Sequence, residues 1–147
     1  MVKFIGSKKI DLKTIKDFEE KNSLTLPEIY RNFLFENNGS YPNFGRFKTL
    51  DNKECSVVDT FLGLGVEEYK NLDFYWSIYK SRIPNGFFPI AFDPGGNLIL
   101  LTLDEERKMS GVYFWDHEKE LESSNSKLSS VTKIAHSLDS FINILFE

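Results

Sequence analysis

Apolar residues recur at the spacing of an α-helix near the start of the chain. Leu12, Ile15 and Phe18 follow one another at intervals of three residues, which predicts an amphipathic helix. Asp11 is a good N-cap for this helix, since its short carboxylate can accept a hydrogen bond from the first turn. The helix is expected to end near Asn22.

A second helix is predicted to begin at Pro27, because a proline at the first helical position loses no hydrogen bond. Its apolar face consists of Ile29, Tyr30, Phe33 and Leu34. The helix should end at Asn38-Gly39, since both residues tolerate the left-handed conformation that is common at helix C-termini.

Two further helices are predicted from the same periodicity. The third covers about 67–79, and its apolar side consists of Tyr69, Leu72, Trp76 and Tyr79. Ser137 can cap a last helix whose inward-facing residues are Leu138, Phe141, Ile142 and Leu145.

Extended segments are predicted between the third helix and the last. The apolar runs 87–92 and 98–103 flank the turn sequence Asp93-Pro94-Gly95-Gly96-Asn97, which predicts a β-hairpin with a five-residue loop. A further strand at 111–116 extends the hairpin into an antiparallel meander. Short strands are also expected within 46–62.

The order of the elements predicts the fold class. Helices come first, strands follow and a helix closes the chain, which is typical of an α+β fold with a central, mainly antiparallel sheet flanked by N-terminal and C-terminal helices. The segment 131–135 fits a strand or a helix, and the serine-rich residues 123–130 are expected to form a flexible connection. We predict a single domain over residues 1–147.

Length and composition indicate how the chain folds and in which compartment it is found. With 147 residues and 41% hydrophobic positions, the chain can bury roughly two-thirds of its surface and needs no metal or disulfide to fold. No apolar run reaches the roughly 18 residues that span a bilayer, and the start of the chain lacks a secretory apolar stretch. Cys55 is the single cysteine and is expected to be buried. We therefore expect a cytoplasmic protein without a membrane association.

The charge distribution argues against a nucleic-acid-binding protein. The chain carries 18 basic and 22 acidic side chains, a net charge of -4. Residues 1–50 hold nine basic and six acidic side chains, but 101–147 hold five and nine. The lysines of the first helix alternate with acids, as on a solvated helix face, whereas a nucleic-acid site needs a basic stripe. A basic protein is therefore the more plausible partner.

Motifs for catalysis, cofactors and metals are weak. Gly63-Leu64-Gly65 begins like a dinucleotide loop, but Glu68 stands where the next glycine is needed. His117 has acidic neighbours, yet consecutive residues of a strand point to opposite faces and rarely bind one ion. A pairing of a histidine with an aspartate and a nucleophilic serine or Cys55 stays open, so the least favoured hypothesis is a small hydrolase that uses His117 or His136. We predict a non-enzymatic protein without cofactor or metal.

Acidic residues cluster around the strand at 111–116. They precede it in one loop and follow it in another, and the meander places the two loops either at opposite ends of the sheet or along one edge. We weigh two roles for them, a docking surface and simple solubility. The candidate partner-binding residues are Asp104, Glu105, Glu106, Asp116, Glu118, Glu120 and Glu122.

Several motifs, in order, resemble the SUKH superfamily, which includes a fungal cell-wall-assembly regulator and many bacterial proteins. The first is Leu26-Pro27-Glu28-Ile29-Tyr30-Arg31-Asn32-Phe33-Leu34 with Asn38-Gly39. Phe88-Pro89-Ile90-Ala91-Phe92-Asp93 with Gly95-Gly96-Asn97 is similar to the central hairpin of that family. Gly111-Val112-Tyr113-Phe114-Trp115-Asp116-His117 is similar to its tryptophan strand, and 137–145 to its closing helix.

This resemblance implies an α+β fold and, for bacterial members, an immunity protein that binds and neutralises a cognate toxin, often a nuclease. It brings no catalytic residues. An acidic immunity protein suits a nuclease toxin, because the toxin surface that holds phosphates is basic. The alternative is a regulatory scaffold, like the fungal members, that binds an endogenous signalling or cell-wall protein.

Overall fold

The computed structural model describes residues 1–104, 109–122 and 127–147, and the side chains of all of these except Leu121 and Glu122. The helices are α1 (Leu12–Asn22), α2 (Glu28–Asn37), α3 (Leu72–Tyr79), α4 (His117–Glu122) and α5 (Leu138–Ile144). The strands are β1 (Phe4–Ile5), β2 (Tyr41–Pro42), β3 (Arg46–Lys48), β4 (Cys55–Val57), β5 (Thr60–Phe61), β6 (Phe87–Phe92), β7 (Leu98–Thr102), β8 (Val112–Trp115) and β9 (Val131–Ala135). Short 3-10 turns at Glu68–Lys70 and Lys127–Ser130 precede α3 and β9.

The centre of the fold is an antiparallel sheet with the strand order β5-β6-β7-β8-β9. Each strand pairs with its neighbour in sequence, so the predicted meander is confirmed and extends over five strands. The pairs β1-β2 and β3-β4 form two small separate ladders. The predicted α+β class with a central antiparallel sheet is therefore confirmed.

Each face of the sheet packs against its own hydrophobic core, because successive side chains along a strand point to opposite faces. Ile99 and Leu101 of β7 pack in the main core with residues of α1, α2 and α5. Leu98 and Leu100 point to the opposite face, where they pack with Trp115 and with Tyr75, Trp76 and Tyr79 of α3. Both faces of the central strands are thus covered, which explains why they read as continuous apolar runs rather than as alternating ones.

Helix ends follow their capping residues. Asp11 and Ser137 accept hydrogen bonds from the backbone N–H groups of Thr14 (2.9 Å) and Ser140 (3.1 Å), as predicted. Pro27 was predicted to be the first residue of the second helix. In the structure it is the N-cap, and α2 begins one residue later, at Glu28. Of the predicted Asn38-Gly39 ending, only Gly39 adopts the left-handed conformation, with φ at 69°, whereas Asn38 has a φ of -53°.

The third helix is shorter than the apolar spacing indicates. Asn71 interrupts it, because its side chain accepts a hydrogen bond from the Phe74 N–H at 3.1 Å and caps a new helix. The ambiguous segment 131–135 is strand β9. Of the connection predicted at 123–130, residues 127–130 form a 3-10 turn, and 123–126 lie outside the described residues.

Two predictions were wrong, one about secondary structure after β8 and one about the burial of Cys55. The acidic stretch after β8 is not a loop but helix α4, where Asp116 Oδ1 accepts a hydrogen bond from the Glu118 N–H at 2.9 Å. Cys55 is exposed rather than buried. It lies directly opposite Lys48, and partners across an antiparallel ladder share one face, which is the solvent face here.

Candidate partner-binding surface

The predicted acidic residues do not form one surface. Asp104 follows β7 and Asp116 follows β8, and these strands run antiparallel with Leu98 opposite Trp115. Asp104 and Asp116 therefore lie at opposite ends of strands about 17 Å long. Glu118 and Glu120 lie on α4 near Asp116. Glu105, Glu106 and the side chain of Glu122 are outside the described residues.

Acids from distant parts of the chain lie at the end of the sheet where β6 and β8 end and α4 begins. We call this region the acidic end; among the described residues it consists of Asp51, Glu54, Asp59, Asp93, Asp116, Glu118 and Glu120. The basic side chains near it are Lys53, Arg82, Lys119 and Lys127. Seven acids against four bases leave this part of the described surface negative.

Asp93 organises the turn between β6 and β7. The carboxylate is buried, and its Oδ1 accepts hydrogen bonds from the N–H groups of Gly95 (2.9 Å) and Asn97 (2.8 Å). Its Oδ2 accepts from Ser56 Oγ at 2.7 Å, which ties the turn to β4. The aspartate in the turn sequence thus fixes the loop from inside and is not available to a partner.

The Asn97 side chain connects that turn to α4. Its Oδ1 accepts a hydrogen bond from the His117 backbone N–H at 3.1 Å and lies 2.6 Å from His117 Nδ1. The carbonyl oxygen can only accept, so His117 carries its proton on Nδ1 in this arrangement. The histidine therefore connects the start of α4 to the turn between β6 and β7.

Ion pairs neutralise part of the acidic end. Lys119 Nζ lies 2.7 Å from Glu54 Oε1, and this hydrogen bond raises the pKa of Lys119 above its ordinary value. Glu120 is paired with Arg82, and the hydrogen bond from the guanidinium lowers the pKa of Glu120. Asp51, Asp59 and Glu118 are exposed and have no ion pair among the described residues, so their charges remain available to a partner.

A stack of aromatic rings borders the acidic end. The Tyr75 ring lies 5.7 Å from the rings of both Tyr79 and Phe92, in stacked orientations. At one end of the stack, the Asp59 N–H donates to the Phe92 carbonyl at 2.9 Å. At the other end, the Arg82 guanidinium lies over the Tyr79 ring at 4.7 Å. Half-buried aromatic rings beside charged groups are a composition that protein interfaces favour.

Comparison with known proteins identifies the family. The model of the SUKH_6 family, described as SMI1-KNR4 cell-wall, matches residues 12–142. The chain belongs to the SUKH family. This result confirms the resemblance seen in the sequence motifs, and SUKH proteins are typically immunity-like or regulatory domains without enzymatic activity.

A bacterial relative adds to this assignment. The chain is 28% identical over 122 residues to the SPbeta prophage-derived uncharacterized protein YokK of Bacillus subtilis (strain 168). The alignment covers 71% of this chain and 60% of the relative. This SUKH chain therefore spans about 60% of the length of the relative that it matches.

The histidines of this SUKH domain show no assembled catalytic centre in the described part of the chain. His136 lines a cleft of about 520 Å³ with Glu28 and Ser137, but Ser137 Oγ is occupied as the cap of α5. Among those same residues, no three acidic, histidine or cysteine side chains converge as a metal site would require. No helix of the described ranges has both the length and the apolar character needed to cross a bilayer.

Sequence reasoning missed more than half of the acidic end. Asp51, Glu54 and Asp59 are far from α4 in sequence. Glu54 meets α4 through its ion pair with Lys119, and the β5-β6 pairing places Asp59 at the same end of the sheet as Asp93. Only the placement of Asp93 could have been predicted from the sequence. An aspartate at the start of a turn often accepts hydrogen bonds from the N–H groups that follow it, as Asp93 does from Gly95 and Asn97.

Proposed function

We propose that this protein is an immunity protein that binds a cognate bacterial toxin and neutralises it by occlusion at one-to-one stoichiometry. The observation that carries the proposal is the SUKH family match over residues 12–142. The prophage origin in the name of the Bacillus subtilis relative favours the bacterial role of the family over the fungal one.

The charge of the acidic end supports a basic partner. A nuclease toxin has a basic surface where it holds phosphates, and complementary charge speeds association and selects the correct partner. The exposed Asp59 and Glu118 carboxylates supply this charge. We place the encounter in the cytoplasm, where a nuclease finds its substrate, and we assign the immunity protein no catalytic step.

The direct experiment needs a candidate toxin: the protein that this chain captures from a lysate of its source cell, or the product of a gene next to its own, is purified and is called the neighbouring toxin domain. The purified domain is assayed for nuclease activity while the immunity protein is added from a tenth of its concentration to a tenfold excess. We expect activity to fall in proportion and to disappear at one chain per toxin domain. Undiminished activity at the highest excess would refute the proposal.

A charge test separates docking from solubility. Asp59→Asn with Glu118→Gln removes two negative charges from the acidic end, and Glu20→Gln with Glu36→Gln removes two exposed charges from α1 and α2. We expect the first pair to slow association by about tenfold at low salt, since steering falls with charge and is screened beyond roughly 8 Å at physiological ionic strength. Equal association rates for the two double variants would remove the acidic end from the interface.

The cell-wall description of the family supports a second candidate, the regulatory scaffold. In this alternative the chain binds an endogenous signalling or cell-wall protein and protects against no toxin. Growth of cells that express the neighbouring toxin domain, with and without this protein, distinguishes the two. Rescue supports the immunity function, whereas a growth or cell-wall defect on deletion in toxin-free cells supports the scaffold.

A further inference from the structure

The outer face of α3 carries two large apolar side chains at neighbouring positions. Phe74 and Ile78 lie one helical turn apart and are 40% and 38% exposed. Outward positions of a surface helix are normally polar, as Lys13 and Asp17 are on α1. Two large apolar side chains at adjacent outward positions form a small apolar surface, which is the composition that the centre of a protein interface favours.

Packing of the fold does not account for this patch. Leu72 and Trp76 hold α3 against the main core, and the Trp76 ring lies 5.0 Å from the Phe88 ring. Neither Phe74 nor Ile78 belongs to the two hydrophobic cores. The inner face alone therefore secures the helix, and the outer pair stays available for another molecule.

The apolar face of α3 is continuous with the acidic end. The Phe74 ring contacts the Tyr75 ring at 6.3 Å, and Tyr75 stacks on Phe92, whose carbonyl accepts the Asp59 N–H. Tyr75 and Phe92 thus connect the apolar face of α3 to the exposed Asp59. The opposite flank differs, because Asp73 there is paired with Lys21 at 3.2 Å and Lys80 is exposed.

We propose that the α3 face, defined as Phe74, Ile78 and the adjoining edge of Tyr75, is the centre of the interface with the basic toxin. The inference rests on the proposed function and specifies where the partner sits. Aromatic and aliphatic anchors at the centre supply most of the binding energy of an interface, and charged residues at its rim supply orientation. The uneven rim orients the partner with its basic region over Asp59 and away from Lys80.

The anchors are tested with Phe74→Ser combined with Ile78→Ser. Both side chains are exposed and outside the cores, so the fold should persist, which circular dichroism and thermal unfolding check. The matched control is Leu12→Ser combined with Leu50→Ser, which changes residues that are 66% and 52% exposed elsewhere. By calorimetry with the neighbouring toxin domain, we expect the α3 variant to bind at least about 30-fold more weakly and the control within about twofold of wild type.

The orientation is tested with two charge reversals. Asp59→Lys should weaken binding by about tenfold at low salt, whereas Lys80→Glu should leave it unchanged or strengthen it. If Asp59→Lys binds as tightly as wild type, the assigned orientation is wrong.

Each result of the anchor experiment has a distinct meaning. Wild-type affinity in the α3 variant would overturn the inference and leave the immunity function standing. Absence of binding by the wild-type chain would overturn both. A wild-type dimer in sedimentation velocity that Phe74→Ser with Ile78→Ser dissociates would assign the α3 face to a second copy of this chain and overturn the assignment to a toxin.

Discussion

Arg82 and Glu120 hold each other through two hydrogen bonds, from Nε to Oε2 at 2.9 Å and from Nη2 to Oε1 at 2.7 Å. The pair joins the segment after α3 to α4, two elements 38 residues apart in sequence. The guanidinium also lies over the rings of Tyr79 and Trp115, at 4.7 and 5.7 Å. One side chain thus connects the aromatic stack to the acidic end.

Replacing Arg82 with alanine should destabilise the fold by about 1–2 kcal/mol. The loss combines a forked ion pair that is partly exposed to solvent with the contact of the guanidinium on two aromatic rings. Arg82→Lys keeps the charge but not the fork and should lose about half as much. Urea unfolding measures both, with the exposed Lys80→Ala as the control. An Arg82→Ala variant as stable as wild type would show that the pair contributes nothing.

The same ion pair should make stability depend on pH in the acid range. The hydrogen bond from Arg82 lowers the pKa of Glu120 below its ordinary value of 4.5. Stabilisation by a depressed carboxylate pKa is present above the unfolded-state value and is lost as the pH falls through the folded-state value. Glu120→Gln should therefore be less stable than wild type at pH 7. The difference should shrink on acidification below about pH 4.5, and a difference that stays constant down to pH 2 would contradict this assignment.

The fold could be predicted from the sequence where local signals agree. The apolar runs around Asp93-Pro94-Gly95-Gly96-Asn97 and the caps Asp11 and Ser137 gave the hairpin and two helices, because turn and cap chemistry is local. Helix α4 was missed, since its six residues are mostly charged and lack an apolar period. Its attachment depends on contacts with Asn97 and Arg82, which are distant in sequence.

Removing the Asp93 carboxylate should cost about 3 kcal/mol. It is buried and accepts hydrogen bonds from two backbone N–H groups and the Ser56 hydroxyl, and Asp93→Ala leaves these donors without their acceptor. Asp93→Asn keeps one acceptor oxygen and should cost less. Urea unfolding checks the order, and Asp139→Ala, an exposed position on α5, is the control. Equal stability of Asp93→Ala and Asp139→Ala would show that the turn does not depend on this carboxylate.

The candidate surface was less predictable than the fold. Asp116, Glu118 and Glu120 stood out in the sequence because they lie close together in the chain, but their availability depends on distant partners. Arg82 occupies Glu120, whereas Asp59, far away in sequence, is exposed beside the aromatic stack. Charge counting finds the excess of acids and cannot tell which of them are paired.

Two neighbouring glycines should respond very differently to alanine. A Cβ at Gly63 would lie 2.5 Å from the Gly39 backbone nitrogen and 2.7 Å from Asn38 Oδ1. That oxygen accepts the Leu64 N–H at 2.7 Å, so Gly63→Ala disturbs a buried hydrogen bond as well as the backbone and should cost about 3 kcal/mol. Gly65→Ala meets no atom within 4 Å and should cost only about 1 kcal/mol, from its φ of 65°. Thermal unfolding of both variants tests the close approach of the two loops, and a larger loss for Gly65→Ala would contradict it.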